Sequence, residues 1–292
     1  MVIEADTGAV VDGPAWRARG SGLARGLVPN RKAMIGLIIV GIFIVVAIFG
    51  SLISPYGAER TFDAWLPPSG AHLLGTDDYG QDVLSQLITG TRVSVEVGVF
   101  AGLLGSAIGT AVGLISGYFE GVIGELLMRL VDLLLVLPSL ALIIVIAAFV
   151  PSLNNAVEIF IIAGLSWLWI ARAIRSQVLS EKQRTYIDVA RVSGMKHREI
   201  MVREILLNIV PVVFANTVMV TTSAILTQAG LSFLGIGNPD AISWGSMLAL
   251  AFSDGAILHG AWGWVISPGI CITILCYGFV LYGNALIEVR YK

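Results

Sequence analysis

Charge is what this chain has least of. Asp, Glu, Lys and Arg make up 13% of its 292 residues, against 56% hydrophobic residues. A soluble domain of that length needs far more charge to cover its surface, so the scarcity excludes an ordinary water-soluble globule and points to a polytopic membrane protein. The net charge of −2 gives no general attraction to nucleic acid, and no nucleic-acid partner is expected. Cysteine and histidine are also scarce. Cys271 and Cys276 lie five residues apart in one apolar run. On a helix they would point about 140° apart, which argues against a disulfide or a shared metal. His72, His197 and His259 are scattered with no metal-site spacing.

Sequence signatures of chemistry are missing as well. None of the four lysines (Lys32, Lys182, Lys196, Lys292) follows a glycine, so no P-loop is present to hold ATP. No His-Glu-x-x-His, no Gly-x-Ser-x-Gly and no paired intramembrane carboxylates occur. No catalytic residue and no metal site are expected, and the energy for any active process must come from another chain.

Long apolar runs are abundant. The pattern predicts six transmembrane helices, at about residues 33–53, 94–119, 126–150, 158–174, 208–234 and 261–287. Residues 1–32 read as a cytoplasmic tail, poorly ordered at its start, and the first run as a retained helix rather than a cleaved signal. Residues 54–93 form an external segment. Within it, Thr76 or Asp77 is the expected N-cap of a short helix carrying Val83, Leu84, Leu87 and Ile88 along the outer membrane interface. Pro268-Gly269 is expected to interrupt the last helix. In the second helix, Gly105, Gly109, Gly113 and Gly117 recur at every fourth position, a spine for close helix packing. Asp132 is read as the local partner of Arg129, and Glu158 as a carboxylate solvated near an outer helix end.

Eight of the eighteen basic residues crowd into one polar island: Arg172, Arg175, Lys182, Arg184, Arg191, Lys196, Arg198 and Arg203. Only Arg60 and Arg92 fall in segments placed outside, so the island and both termini are assigned to the cytoplasm. Residues 176–207 read as two short amphipathic helices broken at Gly194, where a Cβ would strain a sharp turn. Such a structure suits docking onto a separate protein. Tyr186, Ile187, Val189 and Met195 would fill a partner's groove, Ala190 would permit close approach, and Arg191, Lys196 and Arg198 would meet acidic surface. A plain basic loop held to anionic lipid is the competing reading. The most polar span is the fifth helix. Thr217, Thr221 and Gln228 share one face with Ala224, and Asn216, Ser223 and Thr227 share the next. A stripe of that kind either lines a watery path or packs against another helix.

Several motifs, in order over about residues 31–292, resemble the permease subunits of binding-protein-dependent ABC importers, in the peptide and nickel branch. Asp188-Val189-Ala190 with Gly194 and Ile205-Leu206 resembles the family's Glu-Ala-Ala loop. Gly75-Thr76-Asp77 with Gly80 and Asp82-Val83, then Gly90-x-Arg92-x-Ser94, is similar to its outer signature. So are Met128-Arg129-Leu130-Val131-Asp132 with Pro138-Ser139, Leu231-Ser232-Phe233-Leu234-Gly235, and Ser243-Trp244-Gly245-x-Met247. The chain departs from the pattern at Asp188-Val189, where Glu-Ala is usual, at Leu207, where proline is common, and at Gln81, where arginine is common.

The resemblance implies an all-α membrane protein with a five-helix core at residues 94–292, the type I (MetI-like) permease fold. It implies a bacterial inner-membrane subunit forming half of a pore for dipeptides or oligopeptides, not an enzyme. A homologous second permease, cytoplasmic ATPase subunits, an extracytoplasmic binding protein and the peptide itself are its implied partners. ATP and magnesium would sit on the ATPases, with no cofactor in this chain. Tyr186, Ile187, Asp188, Ala190, Arg191, Gly194, Met195 and Lys196 are then the expected ATPase-coupling residues. Nickel or another small solute is an alternative cargo, and an ion-coupled secondary transporter is the alternative class. That class needs a midplane ionisable site and usually inverted repeats, and the sequence displays neither.

Overall fold

The computed structural model describes residues 30–290. The expected tail lies outside them up to residue 29, as do residues 291 and 292. The helices are α1 (Arg31–Ile53), α2 (Val83–Tyr118), α3 (Val122–Val136), α4 (Ser139–Ala148), α5 (Asn155–Lys182), α6 (Thr185–Val192), α7 (His197–Phe233), α8 (Trp244–Ser253) and α9 (Trp262–Arg290). Five are long and apolar enough to cross a membrane, and the number is six when α3 and α4 count as one broken span. They meet at 87°, because Pro138 lacks an amide hydrogen and pushes the preceding residue out of the helical region. Leu137 accordingly adopts φ −77°, ψ 136°. The apolar pattern on both sides of Pro138 had implied one helix over about residues 126–150.

Two further expectations change. The short interfacial helix does not exist as a separate element: Val83 opens a single helix of 36 residues that continues to Tyr118. The N-cap is Asp82, whose carboxylate accepts from the Ser85 backbone N–H at 2.8 Å, and not Thr76 or Asp77. Those two residues instead build a knot in front of the cap. Thr76 Oγ1 donates to the Asp63 carbonyl and accepts from the Leu66 N–H, both at 2.8 Å. Asp77 accepts from the backbone N–H groups of Tyr79 (3.0 Å) and Gln81 (2.7 Å). Gly80, at φ +74°, lies so close to Phe62 that a Cβ would sit 2.1 Å from its carbonyl oxygen. Each polar residue of the Gly-Thr-Asp signature is thus consumed in fixing the start of α2. The second change concerns the prolines. Both α7 and α9 run through theirs, Pro211 and Pro268, without a break, as helices packed among others can do. Residues 200–206 of α7 are wound as a π-helix.

The glycine spine packs α2 against α5. A Cβ at Gly109 would lie 2.6 Å from the Trp167 carbonyl oxygen, and one at Gly113 2.7 Å from that of Ala171. Contact this close is how helices gain packing energy in a medium as apolar as their own side chains. Gly98 and Gly102 extend the spine and face Ile225 and Thr221 of α7. At the other end of the core, Trp244 is fully buried. Its backbone N–H donates to Ser94 Oγ, and its indole Nε1 donates to the Leu87 carbonyl, both at 3.1 Å. The segment before α8 is thereby tied to α2. Glu158, expected to be solvated, is 3% exposed; one turn before it, Asn155 at the start of α5 accepts from Asn238 of the segment after α7 at 2.8 Å.

Candidate functional site

The basic island folds as a hairpin of helices clamped to the end of the bundle. Lys182, last residue of α5, donates through Nζ to the Tyr118 carbonyl (2.7 Å) and pairs with Glu120 (3.0 Å). The Tyr118 hydroxyl bonds His197 Nδ1 at 2.8 Å. The ends of α2 and α5 and the start of α7 are therefore joined. Between them lies α6, whose C-terminus closes in a Schellman turn. The Met195 N–H reaches the Ala190 carbonyl (3.1 Å), and the Gly194 N–H reaches that of Arg191 (3.0 Å). Gly194 supplies the left-handed residue, with φ +81°. No atom lies within 4 Å of where its Cβ would be. The position demands a backbone conformation, and space around it is open.

The two faces of α6 are now distinguishable. Ile187 is 0% and Ala190 7% exposed, packed with Leu114, Ile174, Val178, Ile200 and Ile205, while Tyr186 and Met195 lie half-buried against the same cluster. Ile187 and Ala190, expected to meet a partner, thus spend their surface on the chain's own core, whereas Tyr186 and Met195 keep part of theirs open. What remains outside is Asp188, Val189, Arg191, Val192, Ser193, Gly194, Lys196 and Arg198. Val192, 90% exposed, carries no sequence signal that separates it from Ile187. Asp188 and Arg191 pair at 3.2 Å across one turn. The Lys196 N–H is capped by Glu199 at 3.2 Å.

Beside the hairpin an open cavity of about 480 Å³ is lined by Glu181, Arg184, Tyr186, Glu204 and Asn208. The Tyr186 hydroxyl donates to Glu181 (3.0 Å) and accepts from Asn208 Nδ2 (2.9 Å). Burial, then the Glu181 carboxylate, raises the pKa of this phenol. The hydroxyl stays protonated and serves as a strut between α5 and α7.

The polar stripe of α7 also divides. Thr217 bonds Ser106 of α2, Thr221 abuts Gly102, and Gln228 donates to Ser232 at 2.9 Å. This face packs inside the chain. On the next face Ser223 is exposed, and Asn216 and Thr227 are half-buried. Asn216 and Thr227 bond only their own helix backbone, at Val212 and Ser223 (both 2.8 Å). Leu226, next to Thr227 in the chain, also stays open, at 53% exposed. A further correction concerns Asp132. It pairs with Arg172 of α5, forty residues on, while Arg129 pairs with Glu125 at 2.7 Å. Spacing along one helix had suggested the near partner, whereas packing of α3 on α5 supplied another.

Comparison with known proteins agrees with this arrangement. Residues 109–290 match the family described as binding-protein-dependent transport system inner membrane component. Residues 23–68 match the N-terminal TM domain of oligopeptide transport permease C. The dipeptide transport system permease protein DppC of Escherichia coli K12 is 41% identical over 273 residues, covering 88% of this chain and 87% of that protein. The oligopeptide transport system permease protein OppC of Bacillus subtilis is 35% identical over 264 residues, covering 88% and 84%. That of Lactococcus lactis IL1403 is 33% identical, covering 89% and 90%. Matched by the family model over residues 109–290 and by relatives over most of its length, the chain belongs to the binding-protein-dependent transport system inner membrane component family.

Proposed function

We propose that this chain is one permease subunit of an ATP-driven peptide importer, with both termini and the island on the cytoplasmic side of a bacterial inner membrane. The observation that carries the reading is the clamp. An exposed, charged helix face is held by Lys182, Tyr118 and His197 against the ends of three spanning helices. A plain lipid-binding loop needs no such rigid tie. Force applied to α6 by a moving ATPase would reach α2, α5 and α7 together, because side chains buried between them leave little slack. The bundle would then rock between inward- and outward-facing states, with no covalent chemistry in this chain. The open face of Asn216, Ser223 and Thr227 would line the pathway or meet a homologous second permease. A binding protein would deliver peptide from outside. The names of the DppC and OppC relatives support peptides as cargo.

Purification of the tagged chain from its native membrane tests the assembly. An ATPase and a second permease should accompany it, and proteoliposomes of that complex with its binding protein should take up peptide only with ATP. The chain freed of partners should hydrolyse no ATP. Hydrolysis by the lone chain, or peptide uptake driven by an ion gradient without ATP, would refute the proposal.

A further inference from the structure

A second cavity, of about 440 Å³, opens between α3 and α5 and shares no residue with the one beside the hairpin. Met128 and Asp132 of α3 line it, with Arg172, Arg175, Ser176 and Leu179 of α5. Two guanidinium groups and one hydroxyl face a single carboxylate, so the lining carries a net positive charge. Arg172 gives one nitrogen to Asp132 and keeps its other donors. The Arg175 Nε is buried and has no hydrogen-bond partner, a state that costs free energy unless an acceptor is supplied from outside. An oxyanion with several acceptors would satisfy it.

The surroundings select among anions. On α3, Val122, Leu126, Leu133 and Val136 are 83%, 67%, 64% and 82% exposed, a surface suited to hydrocarbon. Met128 and Leu179 bring apolar atoms into the lining itself. A ligand that matches both parts has a phosphate at one end and acyl chains at the other. Basic pockets between spanning helices are suited to lipid headgroups of that kind. We propose that Arg172, Arg175 and Ser176 bind the phosphate of an anionic phospholipid whose chains lie against α3. Its placement in the inner leaflet rests on the cytoplasmic assignment above, whereas the binding itself does not.

The full chain, purified with its partners, is stripped of native lipid and returned to phosphatidylcholine nanodiscs holding a small fixed fraction of phosphatidylglycerol. Retained lipid is then counted by native mass spectrometry. Wild type should retain phosphatidylglycerol at least about tenfold better than R172Q/R175Q, as the loss of two basic contacts predicts. R175K, which keeps the charge but loses the fork, should fall between them. R129Q, a change on α3 outside the cavity, should match wild type. Equal phosphatidylcholine retention and equal partner recovery in all variants certify the fold. Equal retention of phosphatidylglycerol by wild type and the double variant overturns the proposal. So does its displacement by millimolar inorganic phosphate, which would make the site one for free phosphate. Neither outcome touches the transport reading, because retention is measured without transport.

Discussion

Substitution of Gly194 separates the turn's conformational demand from its demand for space. The residue has φ +81° and open space where a side chain would go. Alanine there incurs the left-handed penalty, about 1–2 kcal/mol for an L-residue. Asparagine, which enters that region more readily, incurs less. No atom lies within 4 Å of the added Cβ, so the cost of tryptophan to the isolated subunit should be close to alanine's. Thermal unfolding of the purified chain should place Gly194→Ala and Gly194→Trp together, slightly below Gly194→Asn. In the assembled transporter they should part. Gly194→Trp projects an indole from the exposed side of the hairpin, and peptide uptake and transport-coupled ATP hydrolysis should both be abolished. Gly194→Ala should lose only part of its activity and Gly194→Asn least. Membrane insertion should be unchanged in all three, since each spanning segment keeps its hydrophobicity. If Gly194→Trp transported peptide as fast as Gly194→Ala with partners bound, nothing would dock over this turn, and the coupling role would be refuted.

Gly113→Leu should cost at least about 1–3 kcal/mol through overpacking against α5, read as lost yield and a lower melting temperature, whereas Gly164→Ala, with no atom within 4 Å of its Cβ, should be neutral; equal stability of the two would contradict the close α2–α5 contact. Asp78, in the knot before α2, has its carboxyl raised above the usual range by burial and by the charges of Asp254 and Asp77. A raised folded-state pKa means that ionisation destabilises, so the penalty is present above that pKa and fades as pH falls through it. Asp78→Asn should therefore raise the melting temperature slightly at neutral pH and not near pH 4, about the ordinary carboxylate value, and a gain persisting in acid would reject this cause. Single cysteines at His197 and His259, both exposed, should label from the cytoplasm and from outside respectively, and labelling of position 197 in intact cells would invert the topology.

Composition and charge placement alone determined that the chain spans a membrane, about where most of its apolar spans lie, and that a basic island interrupts them. These are properties of residues counted along the chain, and the bilayer acts on each segment separately. The four-residue glycine period announced close packing for the same reason, since any partner must meet the same narrow groove. Only the tertiary structure decided who that partner is. Asp132 chose Arg172 over Arg129, and Thr221 chose Gly102, because contacts between helices depend on rotation and crossing that no local period encodes. The break at Pro138 and the unbroken passage through Pro268 show the same limit: one residue type, two outcomes set by neighbours. Most telling is α6, where Ile187 and Val192 are interchangeable as β-branched apolar residues in a short amphipathic segment. Burial of one at 0% and exposure of the other at 90% came from how the Schellman turn at Gly194 seats the helix against α2, α5 and α7. That orientation, and with it the surface left for a partner, exists only once the bundle has packed.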